Sequence, residues 1–74
     1  MKKQYEVIKE KISDTSEASR GNDIYYECTK CNNIIPSIPK DNINCNCLNI
    51  GIDKDMNRLF IEEYQYFRIL RRIN

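Results

Sequence analysis

Four cysteines, arranged as two close pairs, constrain the fold of this chain more than any other feature of its sequence. The first pair, Cys28 and Cys31, lies in "CTKC", and the second, Cys45 and Cys47, lies in "CNC". A chain of 74 residues buries only about 60% of the surface that its unfolded form exposes, so its hydrophobic core is marginal. Small domains usually gain further stability from disulfides, a metal ion or a partner chain. The cysteines are the candidates for that support.

The spacing of both pairs suits the ligation of one metal ion. Two residues between Cys28 and Cys31 let the loop fold back so that both sulfurs face the same ion. Asn32 follows directly, and asparagine tolerates the left-handed backbone that such a loop needs. Cys45 and Cys47 stand at i and i+2, which point to the same side of an extended segment. Thirteen residues separate the pairs, which is enough to bring them together across a hairpin or loop.

Four thiolates favour tetrahedral Zn²⁺, with zinc–sulfur distances of about 2.3 Å. A site filled by four protein ligands is closed, so it is structural, whereas catalytic zinc keeps one position open for water. We therefore predict a structural zinc ion held by the four cysteines (Cys28, Cys31, Cys45 and Cys47). The same four residues are also compatible with iron, with an iron–sulfur cluster, with free thiols, and with disulfides in one of three pairings.

Composition and charge argue against several functional classes. Twelve basic and eleven acidic residues leave a net charge of +1, which argues against a dedicated nucleic-acid binder. Residues 1–21 contain no long apolar run, so we expect no signal peptide, no membrane association and a cytoplasmic protein. Thiols stay reduced there, which disfavours a disulfide framework. The chain has no histidine and no glycine-rich phosphate loop, so we expect it not to be an enzyme.

The sequence of the first part of the chain is compatible with two secondary structures. Over residues 2–12, Tyr5, Ile8 and Ile12 share one helical face, which would give an N-terminal helix. Tyr5 and Val7 also alternate, which is typical of an edge strand, and local propensity does not decide between the two. Residues 13–23, rich in Ser, Asp, Thr, Gly and Asn, are predicted to form a polar loop.

The remainder of the chain is predicted to be β-rich. A strand is expected to lead into Cys28, a proline-containing extended segment to follow at an edge or in a loop, and a hairpin to follow Cys47. The C-terminal "YFRILRRI" fits both a strand and a helix, and its aromatic and isoleucine content favours a strand. We predict a single domain, residues 1–74, with an N-terminal segment and loop over 1–23 and a β core over 24–74. The expected strands span residues 24–27, 50–53, 59–62 and 66–73, and the proline-containing extended segment spans residues 34–40.

Three stretches, "YYECTKCNNIIPSIP", "CNCLNIGID" and "RLFIEEYQYFRI", together resemble small bacterial zinc-ribbon-like proteins. The resemblance covers about residues 24–73, and such proteins are of the kind encoded beside toxins as immunity partners. It implies a zinc-ribbon-like fold, with Cys28, Cys31, Cys45 and Cys47 as ligands. Leu48 departs from the pattern, because a glycine is expected after the last cysteine. A leucine resists positive φ, so the second metal loop is expected to differ in geometry.

Two functional hypotheses follow. The first is a non-catalytic, zinc-stabilised protein-binding module, specifically an immunity protein that neutralises a cognate bacterial toxin. Its expected contacts are the polar loop, the tyrosines and four acidic residues (Asp53, Asp55, Glu62 and Glu63). The alternative is a zinc ribbon that contacts nucleic acid in a transcription or translation assembly. Its phosphate contacts would come from basic residues at the two chain ends (Lys2, Lys3, Arg68, Arg71 and Arg72).

Overall fold

The computed structural model describes residues 4–10, 12–56 and 58–73 of the chain. These residues form two antiparallel β-sheets, with one short 3-10 helix before β2 and another before the last strand. The strands are β1 (Tyr5–Glu10), β2 (Ile24–Cys28), β3 (Asn33–Pro36), β4 (Ile43–Asn44), β5 (Ile50–Asp53), β6 (Arg58–Ile61) and β7 (Phe67–Arg72). The 3-10 helices are η1 (Thr15–Glu17) and η2 (Tyr64–Tyr66). The prediction of a small β-rich fold is confirmed.

The four-stranded sheet brings the two ends of the chain together. Its strand order is β1-β7-β2-β3, and the three-stranded sheet has the order β4-β5-β6. β1 lies at an edge and pairs with β7, with a bulge between Val7 and Lys9. The possible N-terminal helix is therefore wrong, and the strand alternative is correct. Pairing with β7 gives the backbone of β1 its hydrogen-bond partners, and this tertiary contact decides what the balanced local propensity leaves open.

The other strand predictions agree with the observed pairing. Residues 67–72 form the central strand β7, which confirms the strand prediction for the tail. β5 and β6 form the predicted hairpin, and β2 leads into Cys28 as expected. β3 ends at Pro36 and lies at the edge of its sheet, where a missing backbone N–H is tolerated.

The hydrophobic core contains residues from both sheets and includes two of the cysteines. Tyr26, Phe67 and Ile69 of the four-stranded sheet are fully buried, as is Ile50 of β5. The rings of Tyr26 and Phe67 pack with their centroids 5.2 Å apart. Cys28 and Cys45 belong to the same buried cluster. The cysteine pairs are therefore continuous with the core of the protein.

The polar segment that precedes β2 is attached to the four-stranded sheet by hydrogen bonds. The Tyr26 hydroxyl donates to the carbonyl oxygen of Ser19 at 2.7 Å. The buried Ser37 hydroxyl donates to the Gly21 carbonyl at 2.9 Å and accepts from the Gly21 N–H at 3.1 Å. Ile12, at the start of the segment, is buried in the core. These contacts place η1 next to β6 of the other sheet.

Candidate metal centre

The two cysteine pairs lie in the turns of two hairpins, one from each sheet. Cys28 is the last residue of β2, and Cys31 lies in the turn that joins β2 to β3. Cys45 and Cys47 lie in the turn that joins β4 to β5. A metal ion bound to all four sulfurs would therefore link the two sheets covalently to one centre.

The four sulfur atoms form a compact cluster, all within 4.8 Å of one another. The Cys28 Sγ lies 3.5 Å from the Cys47 Sγ, and the Cys45 Sγ lies 3.7 Å from the same atom. These distances are too long for a disulfide, whose sulfurs are about 2.05 Å apart, and all four thiols are free. A tetrahedral ion with metal–sulfur bonds of about 2.3 Å has sulfurs about 3.8 Å apart. The cluster can therefore hold a metal ion, and it contains the four cysteines singled out from the sequence.

The protein surrounds this cluster unevenly. Cys28 and Cys45 are buried, Cys31 is half-buried and Cys47 is exposed. The backbone N–H of Ile50 donates to the Cys45 sulfur at 3.3 Å. Such N–H donors stabilise thiolate charge and orient the sulfur. The centre therefore has a buried side, which faces the core, and an exposed side at the second turn.

The crowded thiols shift one another's pKa values. Burial opposes ionisation of Cys31, but hydrogen bonds from the Cys47 backbone and from the other three thiols outweigh it and lower the pKa of Cys31 to about 6. Burial and the hydrogen bonds to the other three thiols raise the pKa of Cys47 to about 12, against the opposing effect of the Asn49 backbone. The lowered pKa of Cys31 favours its thiolate form, which is the form that ligates metals.

Both turns place a residue in the left-handed backbone region directly after their second cysteine. Asn32, after Cys31, has φ of 59°, and Leu48, after Cys47, has φ of 64°. The value at Asn32 agrees with the expectation from sequence. The expectation that Leu48 would resist positive φ and change the geometry of the second turn is wrong. Leu48 therefore adopts a backbone conformation that is unfavourable by about 1–2 kcal/mol for a residue with a β-carbon.

Asn49 is a further site residue, and its role was not evident from the sequence. Its side chain is buried; Oδ1 accepts from the Glu63 N–H at 2.6 Å, and Nδ2 donates to the Glu63 carbonyl at 3.1 Å. Nδ2 also lies 3.8 Å from the Cys28 sulfur. Asn49 thus connects the second turn to the segment before η2 and to a sulfur of the first turn. Its position two residues after "CNC" was the only signal in the sequence.

Two of the basic residues proposed for nucleic-acid contact form ion pairs with carboxylates. Arg68 forms an ion pair with Glu27, and Arg71 forms one with Glu6 at 2.7 Å. Arg72 lies over the Tyr25 ring, with its guanidinium carbon 6.0 Å from the ring centroid. The remaining two candidates, Lys2 and Lys3, lie outside the described residues.

The acidic residues expected to contact a partner do not form one patch of available carboxylates. Glu63 pairs with Lys30 at 2.8 Å, and the Asp53 Oδ1 accepts from the backbone N–H of Met56 at 3.3 Å. Asp55 and Glu62 are exposed. Two of the four therefore have local structural partners.

Comparison of the chain with protein-family models, with curated proteins and with solved structures gave no match. Within the described part of the chain, no helix is long and apolar enough to cross a membrane.

Proposed function

We propose that this chain is a non-catalytic protein-binding module stabilised by structural Zn²⁺, and specifically an immunity protein that binds and neutralises a cognate bacterial toxin. The four cysteines are the zinc ligands in this proposal. Zinc is favoured because four thiolates at tetrahedral spacing are a typical structural zinc donor set. With all four positions filled by protein, the ion holds the hairpins and leaves no open position for substrate.

One observation carries the protein-binding part of the proposal: Leu48 is both exposed and held in an unfavourable backbone conformation. Its side chain is 68% exposed and has φ of 64°. A glycine at this position would relieve the conformational cost. An apolar side chain kept in water at such a cost motivates a functional hypothesis. A protein partner that buries Leu48 would offset this cost.

A rigid metal-bound turn is also suited to present such a side chain. The backbone around Leu48 is fixed by Cys47 on one side and by Asn49 on the other. Its own N–H donates to the Cys45 carbonyl at 3.0 Å. A preorganised contact residue loses little conformational entropy on binding, which favours affinity.

A protein partner is better supported than nucleic acid. The ion pairs of Arg68 with Glu27 and of Arg71 with Glu6 place carboxylates where phosphates would have to bind. Breaking these pairs and bringing phosphates near two glutamates would weaken any complex. The net charge of +1 adds little long-range attraction.

Co-expression with the products of neighbouring reading frames, followed by affinity purification, tests this function. We expect one stable toxin complex, rescue of cells that express the toxin, and one zinc ion per chain by elemental analysis. Replacing Leu48 with alanine should weaken the complex about tenfold or more, as for a central interface residue. Met56→Ala is the matched control, because Met56 is equally exposed at 67% but lies in the turn between β5 and β6. Failure to find a partner and to rescue growth, or equal losses for the two variants, would refute the proposal.

A further inference from the structure

A cavity of about 470 Å³ lies between η1 and β6, apart from the cysteine cluster. Its walls include the hydroxyl residues Thr15 and Ser16 and, from β6 and beyond, Arg58, Phe60 and Tyr64. Its volume falls within the range of about 300–1,000 Å³ that is usual for small-molecule sites.

The lining of this cavity is cationic and contains no carboxylate. Arg20 and Arg58 both contribute to it, and none of the lining residues is Asp or Glu. Asp53 is the cross-strand neighbour of Arg58, but its Oδ1 accepts from the Met56 N–H. Among residues 4–10, 12–56 and 58–73, no carboxylate forms an ion pair with Arg58. The charge of Arg58 is therefore available to a ligand.

The Arg58 side chain is held in place by an aromatic ring. Arg58 and Phe60 stand at i and i+2 of β6, so they point to the same side of the strand. The guanidinium carbon of Arg58 lies 5.1 Å from the centroid of the Phe60 ring. Stacking restricts the long arginine side chain and leaves the edge of the guanidinium open for hydrogen bonds.

We propose that this cavity binds a small aromatic phosphate. The planar guanidinium of Arg58 matches the geometry of a phosphate and can bind it through two hydrogen bonds. The Thr15 hydroxyl lines the same cavity and supplies a further donor, whereas the Ser16 hydroxyl already donates to the Asp14 Oδ2 at 2.9 Å. The rings of Phe60 and Tyr64 contact the aromatic body of the ligand. The lining of this site includes none of the four cysteines and does not include Leu48.

The test is a titration of the isotope-labelled, metal-loaded full chain, followed through its amide NMR signals. The probes are phenyl phosphate, phenol and inorganic phosphate, so that the charge and the ring are removed one at a time. Phenyl phosphate should give saturable shifts in residues 15–20 and 58–64. Phenol and inorganic phosphate should each bind at least about tenfold more weakly, because each lacks one set of contacts. Shifts that stay linear, or that concentrate on β7, would overturn the proposal.

Two variants separate a built site from general electrostatic attraction. Arg58→Gln should weaken phenyl phosphate binding about tenfold, and because Arg58 is exposed, the fold should persist. Arg71→Gln is the matched control, since Arg71 is an exposed arginine on the other sheet. Equal losses for the two variants would contradict the site. Phe60→Leu gives a further check: it should weaken phenyl phosphate binding more than inorganic phosphate binding, because it removes both the ring contact and the support of Arg58, and equal losses for the two probes would refute the stacking contact.

Discussion

Removing the proposed zinc ion should abolish the folded state of this protein. The cysteine cluster joins the turn between β2 and β3 of one sheet to the turn between β4 and β5 of the other. Without an ion, four thiols remain crowded at the end of the core, two of them buried. We therefore expect a strong chelator, added to the reduced protein, to convert it to an unfolded chain.

The expected magnitude follows from the size of the chain. At roughly 0.05–0.15 kcal/mol per residue, a domain of 74 residues has a net stability of about 4–11 kcal/mol. Structural zinc contributes about 10–16 kcal/mol in small peptides at neutral pH. The free energy lost with the ion is therefore at least comparable with the net stability of the whole fold.

Circular dichroism melts with and without chelator, with metal content measured on the same samples, provide the assay. Cooperative melting should disappear in chelator and return on addition of one equivalent of Zn²⁺. Cys45→Ser should have the same effect, because Cys45 is buried and accepts the Ile50 N–H. Cys47→Ser should destabilise the fold less than Cys45→Ser, since Cys47 is exposed and water can occupy the fourth coordination position of the ion. Metal-free, reduced protein that still melts cooperatively at the same temperature would refute the reasoning.

Three further predictions concern single residues of the metal-loaded protein, measured by denaturant unfolding. Leu48→Gly should raise the free energy of unfolding by about 0.5–1 kcal/mol, the relieved strain less the entropy cost of glycine, whereas Asn32→Gly should change it by only a few tenths. A loss of stability in Leu48→Gly would show that the leucine side chain is a structural contact. Asn49→Ala should lower stability by about 1–3 kcal/mol, because it removes the hydrogen bonds of the part-buried N–H and C=O of Glu63, and an unchanged midpoint would contradict this. Tyr26→Phe should cost about 1–2 kcal/mol through the lost hydrogen bond to a backbone carbonyl, and Tyr25→Phe, on the other face of β2, should cost less. Burial raises the pKa of Tyr26, so the folded protein holds this proton more tightly than the unfolded chain. Wild-type stability should therefore be full below about pH 10 and fall above it, and Tyr26→Phe should show a weaker fall over the same pH range.

Some of the site was predictable because it depends on neighbouring residues. The spacing of Cys28 and Cys31, and of Cys45 and Cys47, limits where each pair of sulfurs can point, and the structure brings all four together. Asn32 was expected to accept a left-handed backbone, and it has φ of 59°. In these cases the relevant geometry spans only a few bonds.

Other features of the site depended on contacts that local patterns do not encode. Leu48 adopts the conformation that its side chain disfavours, because the turn around the second pair of sulfurs requires it. Asn49 gains its role only when the segment before η2 folds against it. Arg68 and Arg71 were candidates for phosphate contact from the sequence, and only the pairing of β1 and β2 with β7 places glutamates beside them.

The sequence by itself determined that this chain is β-rich and has two cysteine pairs whose spacing suits one ion, because alternation and short spacing act within a few residues. Only the tertiary structure decided that β1 is a strand, that the two cysteine pairs come from different sheets, and that a cationic cavity forms between η1 and β6. Each of these depends on segments that are distant in the chain. Their pairing is selected by backbone hydrogen bonding and shared burial, which become favourable only when the whole fold is assembled.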